Sequence, residues 1–126
     1  MGTFNEWVRH AYNDFDSAKY LYDGDKAHDI VIYHCHQSLE KFLKSLWIKH
    51  GLVVKKTHDL RELVDGVREQ ESWLNEFLEG ILELNTFLKR IRYPQGDLCT
   101  RDDAMQCVII LEVFIKRFKL HYPELT

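Results

Sequence analysis

The chain has 126 residues, 45% of them apolar and 29% charged, and its 17 basic and 20 acidic side chains leave a formal net charge of −3. A chain of this length buries roughly two-thirds of the surface its unfolded form exposes, so one domain over residues 1–126 needs no disulfide or metal staple, and repeat arrays and multidomain enzymes are disfavoured. No run approaches the ~20 apolar residues of a membrane span, and the opening MGTFNEWVRHAYND is amphipathic rather than signal-like, which predicts a soluble cytoplasmic protein with no membrane partner.

Thr3-Phe4-Asn5-Glu6 has the spacing of a capping box, and Trp7, Ala11, Phe15, Ala18 and Leu21 or Tyr22 follow as one apolar stripe, predicting a first helix that stops near Asp23-Gly24-Asp25. A second helix is expected from about Ala27 to His50, with Ile32, Cys35, Leu39, Phe42, Leu43, Leu46 and Trp47 on its inner face and Gly51 as its exit. Thr57-His58-Asp59 introduces a short third helix through Leu60, Leu63, Val64 and Val67. A fourth carries Leu74, Phe77, Leu78, Ile81, Leu84 or Asn85, Leu88 and Ile91, and is expected to break at Arg92-Tyr93-Pro94-Gln95-Gly96. The capping-like quartet Thr100-Arg101-Asp102-Asp103 opens a fifth, with Ala104, Cys107 or Val108, Leu111, Phe114 or Ile115 and Phe118 inward and His121-Tyr122-Pro123 at its end.

The expected fold is therefore all-α: an antiparallel four-helix-type bundle with an additional short helix, five helices in all. The fifth helix is apolar over a wide arc from Val108 to Ile115. Such an arc suits either a central helix or a second contact with another copy of the chain, that is, a homodimer.

Charge is distributed unevenly. Residues 1–40 hold seven acidic and three basic side chains, whereas residues 41–58 hold five lysines and no carboxylate. That balance argues against indiscriminate nucleic-acid binding and leaves room for a confined basic surface suited to a phosphate. On the second helix, His34, Gln37, Lys41 and Lys44 recur at steps of three, four and three residues, with Glu40 alongside. Their ridge is either a solvated face or a row of donors for a phosphate or base edge. His58 is placed to cap the third helix or steady the loop before it. Lys89-Arg90-Ile91-Arg92-Tyr93-Pro94 gathers cations and a ring at a helix end, where arginine can fork phosphate oxygens and tyrosine can stack on a base, although a helix C-terminus favours cations for stability alone.

Other chemistries lack their marks. Cys35, Cys99 and Cys107 form an odd set without C-x-x-C spacing, as expected of reduced, inert thiols. His34 and His36 point about 200° apart on a helix, so no zinc pair forms and no metal or cofactor is expected. There is no P-loop, G-x-S-x-G or glycine-rich strand-to-helix turn.

Taken in order, Trp7, Ala11, Asp14 and Ala18, then His36-Gln37-Ser38-Leu39-Glu40-Lys41-Phe42-Leu43-Lys44, then Thr57-His58-Asp59-Leu60 and finally Arg92-Tyr93-Pro94 resemble the HEPN domain family over nearly the whole chain. The resemblance implies a small helical bundle that dimerises, with the second-helix ridge and the arginine loop converging on one polar cleft. It implies nucleotide or RNA binding by His34, Gln37, Lys41, Lys44, Arg92 and Tyr93, and a minimal nucleotidyltransferase as partner in a toxin-antitoxin-like pair. Ribonuclease members of the family carry an arginine followed, after four to six residues, by a histidine. No arginine of this chain has one: Arg92 is followed at those distances by Asp97, Leu98 and Cys99, and Arg117 precedes His121 by too little. Enzymatic activity is therefore not expected. A metal-independent ribonuclease toxin and a purely protein-interaction module are the alternatives.

Overall fold

The computed structural model describes the backbone of residues 2–92 and 99–123, and their side chains except that of Arg92. In chain order the elements are α1 (Phe4–Asp23), α2 (His28–Lys49), α3 (Leu60–Asp65), a 3₁₀ helix (Ser72–Phe77), α4 (Leu78–Arg92) and α5 (Arg101–His121). The described residues are all-α, and none of their helices is long and apolar enough to cross a membrane.

Helix ends follow local chemistry. Thr3 starts α1 by accepting from the Glu6 N–H at 3.2 Å. At α5 the reciprocal capping box is complete: Thr100 Oγ1 accepts from the Asp103 N–H, and Asp103 Oδ2 accepts from the Thr100 N–H. Each satisfies backbone donors that have no partner within the helix. Gly51 takes φ +71° just beyond α2, a left-handed conformation that costs glycine little. The cap of α3 is Asp59, whose Oδ1 accepts from the Arg61 N–H at 2.9 Å, so His58 is released for a different contact.

Side-chain pairings give the topology. α1 and α2 form an antiparallel hairpin, since Ser38 Oγ donates to the Ala11 carbonyl at 2.7 Å while Lys44 lies over the Trp7 ring. α4 and α5 are likewise antiparallel, with Arg90 on Asp103 and Gln106 on Glu83, and the same order continues into the 3₁₀ helix, where Glu76 meets Arg117. α2 is the central helix and touches α1, α3, α4 and α5. Its inner residues Ile32, Cys35, Leu39, Phe42, Leu43 and Leu46 are fully buried. Around Phe42 the core is aromatic, with centroids 4.8 Å from Phe118 and 5.8 Å from Phe114.

One expected helix is really two elements. Residues 72–77 wind as a 3₁₀ helix before α4 begins. Both Trp73 and Leu74 are buried there, and Trp73 stacks on His121 at 4.8 Å. Docking that indole takes precedence over regular α-helical spacing. The expected break at Tyr93-Pro94-Gln95-Gly96 lies outside the described residues.

A close approach ties α3 to α2. Trp47 Nε1 donates to the Leu63 carbonyl at 2.8 Å, and a Cβ at Gly66 would lie 2.1 Å from the Trp47 ring. Only glycine fits beneath that indole, and the contact fixes α3 against α2.

Candidate functional site

The polar ridge of α2 divides in two. Residues 34 and 41 are seven apart, about two helical turns, and so share a direction. Both reach Asp14 of α1: His34 Nδ1 is 2.9 Å from Oδ1, and Lys41 Nζ is 2.5 Å from Oδ2. The Asp14 side chain is largely buried, so this carboxylate holds two basic groups against the α1–α2 seam. Residues 37 and 44 point further round the helix, Gln37 toward α4 and the loop before α3 and Lys44 between Trp7 of α1 and Glu40.

Lys44 meets Glu40 there. Glu40 is only 3% exposed; its Oε2 accepts from Lys44 Nζ at 3.0 Å and its Oε1 lies 3.0 Å from His58 Nδ1. His36, wholly buried, has Nδ1 3.9 Å from the same Oε1 and Nε2 3.4 Å from Asn85 Oδ1. Asn85 Oδ1 accepts from the Leu60 N–H at 2.9 Å, and its Nδ2 donates to Asp59 Oδ1 at 3.0 Å. A continuous polar network thus runs from α2 through His58 to the start of α3 and on to α4. Burying a carboxylate is tolerable because cationic and hydrogen-bonding partners surround it.

His58 is the one member whose side chain is mostly in solvent, at 60% exposure. It borders two hollows. The first, 250 Å³, lies between Asp29, Ile30, Tyr33 and Gln37 of α2 and Leu88 and Ile91 of α4, with His58 in its wall. The second, 430 Å³, is formed by Lys56, Thr57, His58 and Asp59 of the loop with Asn85, Leu88 and Lys89 of α4. His58 and Leu88 belong to both walls, so the hollows adjoin.

Of the residues singled out in the sequence, Gln37 lies in the first hollow, His34 and Lys41 on Asp14, and Lys44 on Glu40. Arg92 is the last residue of α4; its side chain, and Tyr93 altogether, lie outside the described residues. Ile91, immediately before Arg92, lines the first hollow. Within the same basic segment Arg90 pairs with Asp103 at 3.3 Å, whereas Lys89 faces the second hollow. Sequence reasoning missed Lys56 and Asn85 and left Glu40 as a bystander. The available signal for Glu40 was a carboxylate between the core positions Leu39 and Phe42.

The thiols stand apart from this site. Cys35 and Cys107 are buried and Cys99 is half-buried, all unpaired by disulfide. Burial, with Glu112 adding to it, pushes Cys35 from 9.0 up to about 12; Cys107 is also raised, by burial first and Cys35 second. Among the described residues no group of three or more His, Cys, Asp or Glu side chains is arranged to hold a metal ion.

Compared with known families, the chain matches the HEPN domain model over residues 4–121. No curated protein and no solved structure gives a match.

Proposed function

The chain belongs to the HEPN domain family, and from that premise we propose that it binds a nucleotide or RNA in the groove between α2 and α4, as a homodimer paired with a minimal nucleotidyltransferase in a toxin-antitoxin-like system. The observation that carries this reading is that Gln37 and Ile91 line the same hollow. The ridge of α2 and the end of α4, where Arg92 and Tyr93 follow, therefore approach one another, although they are far apart in the sequence. Gln37 supplies an amide to the ligand, Arg92 a phosphate fork and Tyr93 a stacking ring. Lys41 and His34, tied to Asp14, and Lys44, tied to Glu40, contribute further ammonium and imidazole groups from the same helix.

Met105, Ile109 and Val113 form an exposed apolar stripe along α5 at four-residue steps, and this supports a contact between copies. Absence of the Arg-x4-6-His pair places binding ahead of cleavage. Titration of the purified chain with ATP and with a short single-stranded RNA tests the reading. Gln37→Ala and Arg92→Ala should each weaken binding at least tenfold; unchanged affinity in both removes its basis. RNA cleavage in EDTA that disappears on changing a histidine would establish the ribonuclease alternative instead.

A further inference from the structure

The two adjoining hollows differ in chemistry, and the difference says which kind of ligand spans them. In the first, Ile30, Leu88 and Ile91 provide apolar wall, the half-exposed Tyr33 provides a ring and Gln37 provides an amide. A flat base needs those features: a surface to lie against, a ring to stack on and a donor-acceptor pair for its edge. In the second, the exposed ammonium groups of Lys56 and Lys89 join the His58 imidazole and the Asn85 amide. That wall also contains Asp59, but its Oδ1 is occupied by the Arg61 N–H and Asn85 Nδ2. The corresponding carboxylate of the first hollow is Asp29, in the opening turn of α2.

His58 stands where the two meet. Its Nδ1 is turned onto the buried Glu40 at 3.0 Å. A carboxylate partner accepts from Nδ1–H, fixes the ring plane and leaves Nε2 as an acceptor for a ligand hydroxyl. Resting on the binding reading above, the geometry points to a single-stranded RNA segment as the ligand: one base enters the Gln37–Tyr33 hollow, the adjacent phosphodiester lies against Lys56 and Lys89, and the ribose 2′-hydroxyl between them donates to His58 Nε2. Glu40 is a positioning residue in this arrangement, holding His58 without touching RNA.

The test compares adenosine and AMP with an oligoadenylate RNA tetramer on the full chain, by titration at several salt concentrations. The tetramer should bind at least tenfold more tightly than either, and AMP binding as tightly as the tetramer would overturn the choice of RNA. Lys56→Ala combined with Lys89→Ala should remove most of that advantage and flatten the salt dependence, because phosphate contacts release counterions, while adenosine affinity stays within twofold. Both lysines are exposed, so the fold is not at risk. His58→Ala should lower tetramer affinity in the same direction, and Gln37→Ala should weaken both ligands. If the double lysine variant binds the tetramer as the parent does, or loses adenosine equally, the division into base and phosphate hollows is wrong even where Gln37→Ala and Arg92→Ala still reduce binding. If those two variants also change nothing, the underlying binding reading fails with it.

Discussion

Helix α2 faces two unlike environments, and they stabilise the bundle by different physics. On one side Phe42 meets Phe114 and Phe118 of α5, an aromatic cluster extended by Trp73 at 5.5 Å from Phe114 and by Tyr122 at 5.1 Å from Phe118. On the other, Glu40 gathers Lys44, His58 and, through His36, Asn85 of α4. The aromatic side gains from removing apolar area from water and tolerates inexact contacts, whereas the polar side depends on each donor and acceptor having its partner. The first is a means of holding helices together; the second also fixes where a loop and its histidine sit.

The largest expected effect comes from the aromatic side. Phe118 is fully buried, and Phe118→Ala should destabilise the chain by about 3–5 kcal/mol through lost transfer energy and the cavity left behind. A urea titration should show a lower midpoint with an unchanged slope. A loss below about 1 kcal/mol would mean that the cluster collapses around the deletion and contributes little as a unit.

The two sides were not equally readable from the sequence. Apolar spacing gave the inward positions of α2 and α5 directly, because a 3.6-residue period is local and Phe42, Phe114 and Phe118 each lie on their own helix's stripe. The caps at Thr3 and Thr100 were local for the same reason. Leu74 and Phe77 read as the start of the fourth helix but belong to the 3₁₀ helix, because the docking of Trp73 on His121 is a tertiary event. The network was legible only as a set of polar residue types. Glu40 meets His58 eighteen positions away and His36 meets Asn85 forty-nine away, separations that no periodicity reports. The ridge of His34, Gln37, Lys41 and Lys44 was recognised as a ridge, but its partition between Asp14 and Glu40 depends on which helices flank α2.

Breaking the polar side should cost somewhat less in total, and in a diagnostic way. Glu40→Ala leaves the Lys44 ammonium, 8% exposed, without its carboxylate, a change worth about 3 kcal/mol for a buried pair cut on one side. Replacing both partners, Glu40→Leu with Lys44→Met, should recover most of that stability, since apolar isosteres remove the desolvation cost along with the attraction. RNA affinity should not return, because His58 would have lost its anchor. Full recovery of stability with binding intact, measured by urea titration and RNA titration of the same variant, would show that Glu40 serves the fold alone.

The smallest effect separates the two sides by pH, since the apolar side contains ionisable groups of its own. Cys35 on α2 and Cys107 on α5 lie within the core, and burial holds both thiols neutral well above their usual range, Cys35 up to about 12. A group whose folded value is raised gives its full contribution below the unfolded value, here 9.0, and loses it as pH rises from there toward the folded value. The unfolded chain releases the thiol proton first, so alkali favours unfolding. At pH 9.5 the loss should be a little under 1 kcal/mol per thiol relative to pH 8, on the order of RT ln 4. Tyr12, also raised by burial, has an ordinary value of 10.0 and adds only above that. Comparing urea midpoints at pH 8 and pH 9.5 for the parent and Cys35→Ala isolates the thiol, because the cavity penalty of the substitution is common to both pH values and cancels. The variant should lose less stability than the parent over this interval. Equal losses would mean that the Cys35 thiol contributes nothing to the alkaline response.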